Sequence, residues 1–194
     1  MTKTSLFILC AVSLIITSCG SSAAPATPTQ PSGTVRKAEG QTLVLSHPDF
    51  YWRFSLPQDW VITQDTGFEI EANDPKQVAF THLLSQTWLT KDRKPDARAY
   101  VDYWKNSTHG DLFPIFADGT LVAETEISSD KFGGPYLRYE FDDSQHGIHY
   151  LQVYGSGGGP NSLVLTVWAK STDYPNLQVV LESILNSVEL LPER

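Results

Sequence analysis

Between residues 120 and 171 four strand-like segments, TLVAETEIS, PYLRYEFDD, GIHYLQVYG and SLVLTVWAKS, follow one another with only KFGG, DSQHG and GSGGGPN to join them. These connections are of hairpin length, whereas a parallel crossover needs about a dozen residues or more. The segments must therefore pair antiparallel. The last is apolar at nearly every position, which fits a central strand covered on both faces.

The same two-residue period runs through FYWRFSLP, residues 50–57, and opens FEIEAND, while QVAFTHLLSQTW continues with a longer apolar run. Three more strands joined by short turns are expected there. A helix follows: KPDARAYVDYWKNS, residues 94–107, sets Ala97, Val101 and Trp104 at helical spacing behind a Pro95-Asp96 start. A second helix closes the chain in TDYPNLQVVLESILNSVEL, residues 172–190. Its Leu177, Val180, Leu181, Ile184, Leu185 and Val188 form an apolar stripe, and Thr172 or Asp173 would cap it. The order strands, helix, strands, helix predicts an α+β fold, an antiparallel β-sheet flanked by helices.

The N-terminus sets the location. Lys3 is the single charge ahead of LFILCAVSLII, residues 6–16, a run too short to cross the ~30 Å hydrocarbon core, which takes about 20 helical residues. It reads as a secretory signal peptide. Ile16, Thr17 and Ser18 before Cys19 resemble the lipobox of bacterial lipoproteins, so residues 1–18 are the expected signal peptide and Cys19 the lipidated first residue of the mature chain. An ordinary signal peptide cut after Ala23 or Ala24 is the alternative. Each buried methylene contributes ~0.8 kcal/mol, so one acyl chain binds marginally and two or more bind stably. Of the two cysteines, Cys10 is removed with the signal and Cys19 carries lipid, which leaves no thiol for a disulfide, a zinc cluster or a nucleophile.

Residues 19–40 are rich in Ser, Ala, Pro, Thr and Gly and read as a disordered tether, with residues 41–194 as one globular domain. Removing the signal takes away one base, Lys3, and leaves 13 basic residues against 22 acidic ones, a net charge of about −9. Such a surface suits neither nucleic acid nor anionic lipid headgroups. The expected location is the extracytoplasmic side of a bacterial cell membrane, held by the lipid on Cys19.

The segments FSLPQDW, DARAYVDYWKN, YLRYEF, HYLQVY, LVLTVWAK and the closing ILNSVEL together resemble the PsbP-like α/β/α sandwich, over about residues 43–190. That family includes the extrinsic PsbP subunit of photosystem II, a eukaryotic nuclear Ran-binding protein and numerous small bacterial lipoproteins. The resemblance implies a non-catalytic binding or assembly role at a membrane surface, with an envelope protein as partner. No site of the family matches residue by residue, so no binding residue and no cofactor is implied.

Few constellations could carry chemistry. Five histidines occur, His47, His82, His109, His146 and His149. His146 could sit in a hairpin turn with Asp142 and Asp143, and imidazole and carboxylate are ligands for divalent ions. His149, three residues on, would point to the opposite face of the strand, and a plain solvated hairpin tip is the simpler reading. His82 lies in an apolar strand and reads as a hydrogen-bonded core histidine. GSGGGPN lacks the Gly-Lys-Ser/Thr of a P-loop and precedes a strand, where phosphate sites need a helix N-terminus. It reads as a hairpin connection. There is no G-x-S-x-G elbow, so a hydrolase finds little support.

Two classes of function remain. One is an anchored, non-catalytic binding or assembly module of the cell envelope. The other is a small-ligand or metal-binding accessory lipoprotein with a pocket between helix and sheet lined by Trp88, Trp104 or Trp168.

Overall fold

The alternation in WRFSLP decides which side of the chain faces inward: Trp52, Phe54 and Leu56 are fully buried and Arg53 is exposed. The computed structural model describes residues 33–87, 97–106, 119–156 and 161–191. Strands β1 (Val35–Glu39), β2 (Thr42–His47), β3 (Trp52–Pro57) and β11 (Glu189–Leu190) form a four-stranded sheet in the order β1-β2-β3-β11. The second sheet has seven strands: β4 (Val61–Asp65), β5 (Glu69–Asn73), β6 (Ala79–Thr87), β7 (Thr120–Ile127), β8 (Tyr136–Asp143), β9 (Ile148–Ser156) and β10 (Asn161–Lys170). Their order is β4-β5-β6-β10-β9-β8-β7, and the pairings in both sheets are antiparallel.

The short connections do what their length requires. The β8–β9 hairpin turns through Gly147 at φ 65°, a left-handed conformation that glycine adopts without a Cβ clash. Strand β10, apolar almost throughout, is the middle strand of the seven and is buried at nearly every position.

The expected α/β/α sandwich is corrected. Among the described residues there are two α-helices, α1 (Ala97–Asn106) and α2 (Tyr174–Ser187), against two antiparallel sheets. The molecule is mostly β, and its one large sheet is not simply flanked by helices. One face of the seven-stranded sheet is shared by α2 and the four-stranded sheet: Leu45, Trp52 and Phe54 join Leu83, Leu165 and Leu181 in a single core. Full burial of each such side chain contributes roughly 1.5–3 kcal/mol. The buried Trp52 indole N–H donates to the carbonyl of Gly67 at 3.0 Å, so its polar atom is satisfied. On the other face, among the described residues, α1 packs at the β8–β9 end, where Ala97 and Val101 meet Tyr139, Phe141 and Tyr154. Arg98 of α1 donates to the Tyr139 hydroxyl at 3.2 Å and pairs with Glu124. Burial first, and Glu124 second, push the Tyr139 hydroxyl up to about 12.

Two boundaries also move. The closing helix, expected through residue 190, ends at Ser187, and Val188 is extended at φ −72°, ψ 140°. Ser187 Oγ donates to the Ile184 carbonyl at 2.7 Å and accepts the Ser55 amide at 2.8 Å, so the helix stops where its last residue ties to β3. Asp173 is the N-cap residue, but its side chain makes no capping hydrogen bond. Structure also begins earlier than residue 41, because β1 starts at Val35, inside the expected tether. The expected signal peptide and Cys19 lie outside the described residues.

Candidate functional site

Strand β5 places two carboxylates on one face. Ile70 and Ala72 point into the main core, so Glu69 and Glu71 point to the face that α1 partly covers. The β5–β6 register sets Glu71 opposite His82. His82 Nε2 and Glu69 Oε1 are 3.0 Å apart, and Gln64 of β4 donates from its amide to the other oxygen of Glu69. One ligand atom from each of Glu69, Glu71 and His82 lies within 4.8 Å of the other two. All three residues are half-buried. Glu71 has no hydrogen-bond or ion-pair partner among the described residues.

Beside this cluster runs a groove of about 380 Å³ whose lining includes Val61, Thr63, Glu71, Asn73, Phe80 and Trp168. Its floor is aromatic: Trp168 stacks on Phe80 with ring centroids 5.4 Å apart and 15° between planes. Asn73 is 8 % exposed; its amide donates to the Asp74 carbonyl, while its buried Oδ1 has no partner among the described residues. An aromatic wall, an orphan acceptor and an unpaired carboxylate therefore converge at one end of the sheet.

The residues singled out in the sequence fall elsewhere. Asp143 and His146 are brought together, with His146 Nδ1 2.8 Å from Asp143 Oδ2. Asp143 Oδ1 accepts the amides of Gln145 and His146, so both oxygens are taken up in fixing the β8–β9 turn. These bonds, the His146 amide first, hold the Asp143 carboxyl below its ordinary value. Asp142 belongs to the opposite face, paired across the strands with His149, whose ring lies 3.8 Å from that of Tyr174. His149 Nε2 is 3.0 Å from Glu140 Oε1. Burial, then Glu140, pushes the Tyr174 hydroxyl up to about 12. His47 is buried, and its Nδ1 accepts the Asp49 and Phe50 amides. Cys19, Trp88, His109 and the side chain of Trp104 lie outside the described residues. Trp168 lines the groove just described. A cavity of about 510 Å³ does lie beside α2, but its tryptophan is Trp60, with Lys76, Asp173 and Leu177 among its neighbours.

The Glu69–Glu71–His82 cluster was half legible. The E-I-E spacing in a predicted strand puts both carboxylates on one face, but the partner of that face depends on a register between strands that no local pattern reveals.

No family model matches this sequence, and no curated protein does. Solved structures do. The solution structure of cyanobacterial PsbP (CyanoP) from Synechocystis matches with a TM-score of 0.54 at 11% identity, over 87% of this chain and 98% of that one. The fold is PsbP-like. A protein of unknown function from Pseudomonas aeruginosa aligns at TM-score 0.36 and 14% identity, over 84% of this chain and 99% of that one. A structure from Bacteroides thetaiotaomicron aligns at 0.35 and 10%, over 74% of this chain and 46% of that one.

Proposed function

We propose that this protein is a lipid-anchored, non-catalytic binding or assembly module of the bacterial cell envelope, held by Cys19 on the extracytoplasmic side. The observation that carries the reading is the run LIITSC at residues 14–19, an apolar segment closing on a lipobox-like Ile-Thr-Ser before cysteine. The PsbP-like fold is consistent with it, and among the described residues the face of the seven-stranded sheet on which α1 packs carries the groove at β4–β6. The groove beside Trp168 is the surface we assign to contact.

Chemical cross-linking in intact cells, followed by mass spectrometry of whatever is attached to the anchored chain, tests this. A single dominant protein partner is expected, with cross-links near β4–β6. A chain that emerges uncrosslinked overturns the assembly role. The second reading, a metal- or ligand-binding accessory lipoprotein, is favoured by the Glu69–Glu71–His82 cluster.

A further inference from the structure

We infer that Glu69, Glu71 and His82 form a binding site for a zinc-class divalent cation, with an open coordination position toward the groove lined by Asn73, Phe80 and Trp168. The inference rests on reading this face as the binding surface and is independent of the lipid on Cys19.

The geometry is close to what such an ion needs. Zinc binds imidazole nitrogen and carboxylate oxygen at ~2.0–2.2 Å, so tetrahedral ligands stand roughly 3.4 Å apart. The three ligand atoms here lie within 4.8 Å of one another, a gap that small side-chain rotations close. Their backbones are fixed by the β5–β6 ladder, which leaves only side-chain torsions to adjust. Charge agrees as well: two carboxylates match a divalent ion, and the imidazole binds as the neutral ring. His82 meets Glu69 through Nε2, the ring atom that already faces the carboxylates.

Two observations separate this from an ordinary acidic patch. Glu71 is half-buried on a sheet face with no cation or donor to offset its charge among the described residues. The adjoining groove is lined by Asn73, whose buried Oδ1 has no hydrogen-bond partner among the described residues. The donor set also selects the ion. Calcium takes six to eight oxygens, and one nitrogen with two carboxylates suits zinc and its first-row neighbours better. Three protein ligands leave a fourth position free, the pattern of sites that exchange a ligand rather than of closed structural sites.

The test is zinc chloride titrated calorimetrically into the full chain in detergent, stripped with chelator and alkylated so that no thiol contributes. The expected result is one zinc per chain, with calcium chloride giving no heat. Glu71→Gln and His82→Gln, near-isosteric changes at half-buried positions, should each weaken zinc binding more than tenfold. His146→Ala, at the hairpin tip, should leave it unchanged. Thermal melts of the metal-free variants verify that they fold, and zinc should raise the melting temperature of the wild type and of His146→Ala well above any shift seen with Glu71→Gln or His82→Gln. No zinc binding by the wild type, a loss smaller than tenfold in either folded variant, or loss on His146→Ala overturns the site. None of these outcomes touches the anchor or the cross-linked partner, which are read in separate experiments.

Discussion

Gly155 has no room for a methyl group. A Cβ there would stand 2.0 Å from Phe132 Cδ1 and 2.5 Å from Cε1, because the 3₁₀ turn Asp130–Phe132 drives that ring against β9. Overpacking of this kind costs typically 1–3 kcal/mol, so Gly155→Ala should lower the unfolding free energy measured in urea by about that much. In a Phe132→Ala background the same change should cost less than about 0.5 kcal/mol, and the coupling between the two identifies the ring as the cause. Equal costs in both backgrounds would show that the glycine is needed for its backbone instead. The sequence places Gly155 in GSGGGPN and suggests only a pliable connection. Its constraint is tertiary, set by a phenylalanine from another turn, and local pattern cannot carry it. Glu71 teaches the same lesson: its face is readable from alternation, its neighbour His82 is not. Asp143 lies at the other extreme, because an aspartate just ahead of a turn accepts the amides that follow it from local geometry alone.

Elements were legible in proportion to their regularity. Helix α2 shows its stripe at a 3.6-residue period, and Leu181, Ile184 and Leu185 are indeed the residues it buries. The strands β8, β9 and β10 follow from hairpin-length turns that leave no other pairing. The four-stranded sheet was missed for physical reasons. Strand β1, VRKAE, is exposed at every position and has no apolar alternation to detect, and β11 is two residues long and continues a helical pattern. The helix itself offers a direct check of which side carries the stability. Leu181 is fully buried, whereas Val179, an apolar residue two positions earlier, is 82% exposed. Leu181→Ala should cost about 2–5 kcal/mol and Val179→Ala no more than about 0.5 kcal/mol, with the slope against denaturant unchanged in both. Comparable losses at the two positions would mean that α2 is rotated from the orientation described.

At the scale of the whole molecule the proposal that the chain is held at a membrane can be tested directly. No helix among the described residues is long and apolar enough to cross one. Electrostatics gives no help, since the full chain carries a net charge of −8 and anionic headgroups repel it. The attachment proposed here is by the acyl chains on Cys19, each methylene of which contributes ~0.8 kcal/mol. The argument makes Cys19→Ala decisive. Without the thiol no lipid is added, so the variant should either leave the membrane fraction or be retained as an uncleaved precursor heavier by the signal segment. Fractionation combined with intact mass distinguishes these outcomes, and both agree with a lipid anchor. A Cys19→Ala chain processed to the wild-type polypeptide and still recovered with the membrane would show that something other than lipid holds it. The contact face on β4–β6 would then have to supply the attachment.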